Sequence, residues 1–312
     1  MAKKSGGKKH GTSKKSGSGC ATPGKDGQEG PTSTTQALRL PRGPVDLASY
    51  DTHGKPGFSG GKQEGKAALL ALGDELSDLQ ERLFAEGRSG GTRSLLLVLQ
   101  GMDTSGKGGI VRHTLGLVDP QGVHVKSFKQ PTRAELRHDF LWRVERELPK
   151  PGMIGVFDRS HYEDVLVARV HGTVSGRDVT QRYRQVNDFE KRLVDSGTVV
   201  VKCMLHISPE EQRERLLARL DDPEKLWKFN PGDVDERRRW FDYVAAYEKA
   251  LERTNTDHAP WLVVPSDRKW YRNLAVANVL RETLAEMDPH WPGPDYDVAE
   301  QRRRLLEEEP LR

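Results

Sequence analysis

Cysteine is almost absent: the 312 residues contain two, Cys20 and Cys203. That excludes a disulfide framework and a cysteine zinc site, and it suits a reducing cytoplasm. No apolar run is long enough to span a membrane. The N-terminal stretch lacks the apolar core of a secretory signal. No internal repeat occurs. Charge of one sign is not in excess either: 50 basic and 46 acidic residues leave a net charge of +4. So balanced a chain does not read as a nucleic-acid-binding protein. An Asn-Lys-x-Asp stretch is missing as well, which argues against a GTPase switch.

Apolar residues are scarce at the start. Six lysines lie in the first fifteen residues among Gly, Ser and Thr, and such a segment cannot bury enough surface to order itself. Residues 1–35 therefore read as a disordered tail, one that either touches anions or only solubilises the chain. Residues 36–290 have the size of one α/β domain, and 291–312 form a charged C-terminal tail.

The domain is organised around Leu95-Leu-Leu-Val-Leu-Gln100-Gly-Met-Asp-Thr-Ser-Gly-Lys-Gly-Gly109. Five apolar residues in a row predict a strand covered on both faces, as in a parallel sheet. The turn after them nearly matches the phosphate-binding pattern G-x-x-x-x-G-K-[ST] through Gly101, Gly106 and Lys107. Backbone N–H groups of Met102, Thr104, Ser105, Gly108 and Gly109 would cradle phosphate oxygens, the following helix would point its positive end at the anion, and Lys107 would add a mobile charge. The hydroxyl that normally holds magnesium is missing, because Gly108 stands there. Asp103 is an extra carboxylate inside the loop, read here as a metal-side ligand that compensates. The plain alternative is a flexible turn in which Asp103 caps the helix.

Four more strands are expected: 123–128, 153–158, 198–207 and 261–264. Helices are expected over 64–86, 106–118, 135–148, 178–195, 209–220, 233–253 and 268–287, with 36–60 an extended arm. The alternation predicts a three-layer α/β/α fold with a five-stranded, mainly parallel sheet and the active site at the carboxyl ends of the strands. Asp158 ends the third of these strands, where a second magnesium-side carboxylate is usual, and Arg159 follows within reach of a phosphate. Residues 213–240 carry Arg213, Arg215, Arg219, Lys225, Lys228 and Arg237 to Arg239, which reads as a helical lid over phosphates. Lys126, Lys129, Arg133, Arg137, His138 and Arg143 form a further basic cluster, and His138 lies four residues from Trp142.

These motifs together resemble the polyphosphate kinase 2 family. The resemblance rests on Gly101 to Gly108, Pro131 to Arg143, Phe157-Asp-Arg-Ser-His-Tyr-Glu-Asp-Val-Leu-Val167 and the lid's Leu226-Trp-Lys-Phe229, over roughly 45–290. It implies a thymidylate-kinase-like P-loop fold. It also implies phosphoryl transfer between inorganic polyphosphate and an adenine (or other purine) nucleotide, with Mg²⁺ (or Mn²⁺) held by Asp103 and Asp158. By the same resemblance Asp103, Lys107, Asp158 and Arg159 form the catalytic core, and Arg169, Arg219, Lys225 and Lys228 contact phosphate; Arg133, Lys126 and Lys129 are read as a basic channel that guides the phosphate chain. Ser160 to Leu166 resembles the branch that accepts AMP as well as ADP, and relatives imply a homo-oligomer, dimer or tetramer. Two rival functions predict different behaviour. An ATP-dependent small-molecule or nucleotide kinase would need no polyphosphate. A nucleic-acid-binding module working through the lysine tail would bind with steep salt dependence.

Overall fold

The computed structural model describes residues 33–308. All five expected strands form: β1 (Ser94–Gln100), β2 (Val123–Ser127), β3 (Ile154–Asp158), β4 (Thr198–His206) and β5 (Trp261–Pro265). They make one sheet in the order β2-β3-β1-β4-β5, every pair parallel. From β1 the chain crosses to the edge strand β2, returns to β3 between them, and then passes to β4 and β5 on the other side of β1. The order reverses at β1, and a cleft at the carboxyl ends is the expected result.

Helices cover both faces. In chain order they are α1 (Thr34–Leu38), α2 (Lys62–Ala71), α3 (Gly73–Arg88), α4 (Lys107–His113), α5 (Trp142–Glu145), α6 (Glu163–Val170), α7 (Gly176–Asp195), α8 (Pro209–Leu220), α9 (Gly232–Arg238), α10 (Trp240–Thr254), α11 (Lys269–Met287) and α12 (Val298–Glu307). Strand alternation separates two cores. Leu96, Val98, Phe157 and Met204 pack on one side with residues of α6, α7 and α10. Leu95, Leu97, Leu99 and Cys203 pack on the other with residues of α3 and α11. Burial pushes the Cys203 thiol up to about 12, so it stays protonated and inert.

Several expected elements differ from those found. The helix expected over 64–86 breaks at Leu72, ahead of Gly73, a poor interior helix residue. The helix expected over 135–148 does not form as one piece. Thr132 and Glu135 cap each other around a short 3-10 turn, Glu135–Arg137, and His138 is extended. The Asp139 carboxylate then accepts from the Leu141 amide and restarts the chain as α5. His138 and Trp142 still stack, 4.0 Å apart. The lid's second helix is split at Arg239, whose guanidinium donates to Val170 O at 2.9 Å. Helix α6, directly after the Asp158 motif, was not expected as a helix.

The arm over 36–60 lies on the domain. Leu38, Leu40 and Leu47 are buried, and the Leu40 amide donates to Trp261 O at 2.9 Å beside β5. Residues 33–35, placed in the tail by composition, cap and begin α1; the rest of the lysine-rich tail lies outside the described residues. α12 has no buried residue. No helix among the described residues is long and apolar enough to cross a membrane.

One buried ion pair stiffens the core below the cleft. Lys202 on β4 donates to Glu190 Oε2 at 2.7 Å, to Tyr162 Oη at 3.0 Å and to Thr254 O at 2.7 Å. Glu190 Oε1 faces His161 Nε2 at 3.2 Å and accepts from Tyr162 Oη at 2.8 Å. Burial alone would raise the Glu190 pKa, but Lys202 and His161 outweigh it and hold the carboxyl below its usual range. Lys202→Met leaves that carboxylate buried and unpaired, and should cost about 3–5 kcal/mol in urea unfolding. Pairing it with Glu190→Leu should recover most of the loss; a single variant within about 1 kcal/mol of wild type contradicts the assignment.

Candidate active site

The phosphate loop is shaped by two glycines that nothing else could replace. Gly101 has φ +150° and its missing Cβ would lie 2.6 Å from Leu205 O; Gly106 has φ +110°, and a Cβ there would run into the Arg272 guanidinium. Two non-glycine residues also take left-handed backbone: Thr104 at φ 63° in the loop and Arg159 at φ 62° after β3. Such conformations are uphill for L-residues and persist where the surroundings fix them. They flank one ion pair, Arg159 Nη2 to Asp103 Oδ1 at 2.7 Å, which joins the ends of β1 and β3.

Lys107 is buried at the start of α4 and donates to Gly101 O at 2.8 Å and Met102 O at 3.4 Å. Burial, and then Arg159, lower its pKa against the pull of Asp103, Asp158 and Glu163. Glu163 moves the other way: burial raises its pKa while Arg159 and Lys107 oppose. Tyr247 Oη accepts from the Gly101 amide at 3.2 Å and fixes the first turn of the loop. The hydroxyls of Thr104 and Ser105 are buried without a hydrogen-bond partner. With Gly108 in the usual hydroxyl position, they are the hydroxyls nearest in sequence that could take its place.

A cleft of about 980 Å³ opens over this loop. It is walled by the ends of β2 and β3, by the lid and by the first turn of α11. Nine cationic side chains line it against three carboxylates, Asp103, Asp158 and Asp233. A smaller pocket of about 220 Å³ beside Thr104 is lined by five cations and no acid. That balance suits a polyanion and does not suit a neutral or cationic substrate.

The family model for polyphosphate kinase 2 matches residues 60–292. The chain belongs to the polyphosphate kinase 2 family. It is 46% identical over 255 residues to an AMP/ADP-polyphosphate phosphotransferase of Meiothermus ruber, covering 82% of this chain and 94% of that one. It is 42% identical over 289 residues to an ADP-polyphosphate phosphotransferase of Rhodopseudomonas palustris, covering 87% and 98%. The fold matches the crystal structure of polyphosphate kinase 2 from Arthrobacter aurescens TC1 with TM-score 0.86 at 50% identity, over 89% and 98% of the two chains. The expected P-loop kinase fold is therefore the fold of a polyphosphate kinase 2.

The expected site residues divide into those the cleft gathers and those it does not. Asp103, Thr104, Gly106 to Gly109, Asp158, Arg159, Arg219, Lys225 and Lys228 all line it. Arg133 and Arg169 are exposed and do not. Lys126 is held by Glu147 at 2.5 Å outside the cleft, whereas Lys129 lines it. The lid arginines also separate. Arg213 is exposed, Arg237 donates to Pro209 O and Gln212 Oε1, and Arg215 is buried against backbone carbonyls. Only Arg219 of that group faces the large cleft, tied to Lys228 O at 3.1 Å and Asp233 Oδ2 at 3.4 Å.

Sequence reasoning missed Lys269, Arg272, Arg112 and Asp233, all in the cleft wall. A signal existed for two of them. Lys269 and Arg272 are cations in the first turn of α11, the end of a helix where the dipole favours anions.

The metal reading of Asp103 gains a competitor, since its carboxylate is engaged by Arg159. No group of three or more His, Cys, Asp and Glu among the described residues is arranged to hold a metal ion. Asp103→Asn would free Arg159 and remove a negative charge from the cleft. It should tighten metal-free binding of tripolyphosphate by about tenfold, given charge interactions of a few kcal/mol at this range. Isothermal titration in EDTA reads this; weaker binding by the variant contradicts it.

Proposed function

We propose that the chain transfers a phosphoryl group between inorganic polyphosphate and AMP or ADP in a magnesium-dependent reaction. The observation that carries this reading is the cationic cleft over the phosphate loop at the carboxyl edge of the sheet. The names of the polyphosphate kinase 2 relatives supply the donor and acceptor classes.

Both substrates are polyanions, so the work is positioning and charge neutralisation. The loop amides and Lys107 would hold the moving group, with Lys107 exchanging its loop carbonyls for phosphate oxygens. Arg159 would cross from Asp103 to an equatorial oxygen. Arg219, Lys225 and Lys228 would bring the lid down on the chain and exclude water, which otherwise accepts the phosphoryl group. Asp103 and Asp158 are two hard oxygen donors in one cleft. That set fits Mg²⁺ (or Mn²⁺), which typically takes one or two carboxylates and completes its shell with phosphate oxygens and water. Bound there, the metal would neutralise phosphate charge.

The all-buried Cys203 and the absence of a disulfide framework support a reducing cytoplasm as the setting. The family resemblance supports a homo-oligomer, dimer or tetramer, whose mass light scattering reads directly.

The test is product analysis with long-chain polyphosphate and Mg²⁺. AMP should yield ADP and then ATP, ADP should yield ATP, and EDTA should abolish both. ATP from ADP alone would restrict the acceptor to diphosphates. Consumption of ATP with no use of polyphosphate would overturn the reading in favour of an ordinary kinase. Lys107→Ala should lower kcat by about 10²-fold or more with melting unchanged, since its charge acts on the group in flight; a near-wild-type rate would contradict its role.

A further inference from the structure

The phosphate loop is held from behind by side chains of two other elements. Gln212 of α8 donates to Asp103 O at 3.3 Å. Arg215, on the same helix and 7% exposed, donates through Nη1 to Thr104 O at 2.8 Å and Ser105 O at 3.1 Å. Its other nitrogens reach Ser266 O at 2.6 Å, Asp267 O at 3.0 Å and Glu211 Oε1 at 2.7 Å. Arg272 of α11 adds a second bond to Ser105 O, at 3.0 Å. Three successive loop carbonyls are thus drawn to one side.

A trans peptide points its N–H opposite to its C=O. Pulling the carbonyls of Asp103 and Ser105 back therefore turns the amides of Thr104 and Gly106 the other way. The same pull accounts for Thr104 keeping its left-handed backbone. Only a planar five-donor fork can serve Thr104, Ser105, Ser266 and Asp267 together; an ammonium cannot. Arg215 lies on α8, the first helix of the lid, so a lid side chain holds the loop.

We propose that Arg215 is a positioning residue: it sets the phosphate loop's amides and couples their geometry to the lid. The inference rests on the proposed phosphotransfer for the rate it affects, and on the hydrogen bonds alone for the loop.

The experiment compares wild type with Arg215→Lys and Arg215→Ala in three readouts. These are kcat and KM for polyphosphate, melting temperature, and hydrogen exchange of peptides covering 101–110. Misplacement of the loop should lower kcat by about 10²-fold in the alanine variant, and by less in the lysine variant, with KM within about threefold. Exchange should quicken in 101–110 while the sheet stays protected. Added guanidinium should restore part of the alanine variant's rate.

Unchanged kcat and unchanged loop exchange would overturn the proposal. So would a rise in KM with kcat intact, which makes Arg215 a phosphate contact. Exchange loosened throughout, with kcat falling only as the folded fraction falls, would make it structural cement. If Arg215→Ala does not fold, Arg215→Lys carries the same comparison. If the wild type uses ATP and not polyphosphate, the donor reading fails while the loop comparison is repeated with ATP.

Discussion

Nine cations around one cleft repel each other, and the fold must hold them in place against that repulsion. It does so in two ways. The most buried, Lys107 and Arg272, point their N–H groups at backbone carbonyls of the loop, so each charge is hydrogen-bonded even where water is excluded. Three of the others are tethered to carboxylates: Arg159 to Asp103 and, at 4.0 Å, to Glu163, Arg219 to Asp233 and Lys225 to Asp222. Tethers of this kind are partly exposed and worth little in stability. That suits groups that must exchange an acid for a phosphate oxygen. Arg272 keeps its bond and shapes the loop, while Lys107 and the tethered cations hold partners that they exchange for phosphate oxygens.

The rigidity behind the loop comes from the opposite arrangement. The Lys202–Glu190 pair is fully buried, shared with Tyr162 and His161, and anchored to Thr254 O. Replacing either partner alone strands the other. His161 and Tyr162 belong to the segment that follows Arg159. The network therefore fixes the turn on which Arg159 holds its left-handed backbone, and so the direction from which Arg159 meets Asp103.

Much of this was legible in the chain. Leu95 to Leu99 could only be a doubly covered strand. Gly101, Gly106 and Lys107 could be read as a phosphate cradle because backbone geometry there depends on residue type. Ser208 and Pro209 announced α8, and the Ser208 hydroxyl does accept from the Glu211 amide at 3.1 Å. What stayed hidden depends on tertiary distance. Arg215 and Arg219 sit one helical turn apart and look alike in sequence, yet one faces loop carbonyls and the other the cleft. Arg272 lies 167 positions from the carbonyl it binds. The short capped turns over 132–142 overrode a helical pattern because Thr132, Glu135 and Asp139 bond to nearby backbone.

A cleft with this concentration of positive charge should bind a phosphate chain tightly. Thermal melting in EDTA, where turnover is absent, with increasing polyphosphate tests it most directly. Binding to the folded state alone should raise stability by about 2.7 kcal/mol at a hundredfold excess over Kd. The gain should shrink as salt is added. A melting temperature indifferent to polyphosphate at low salt would contradict the account.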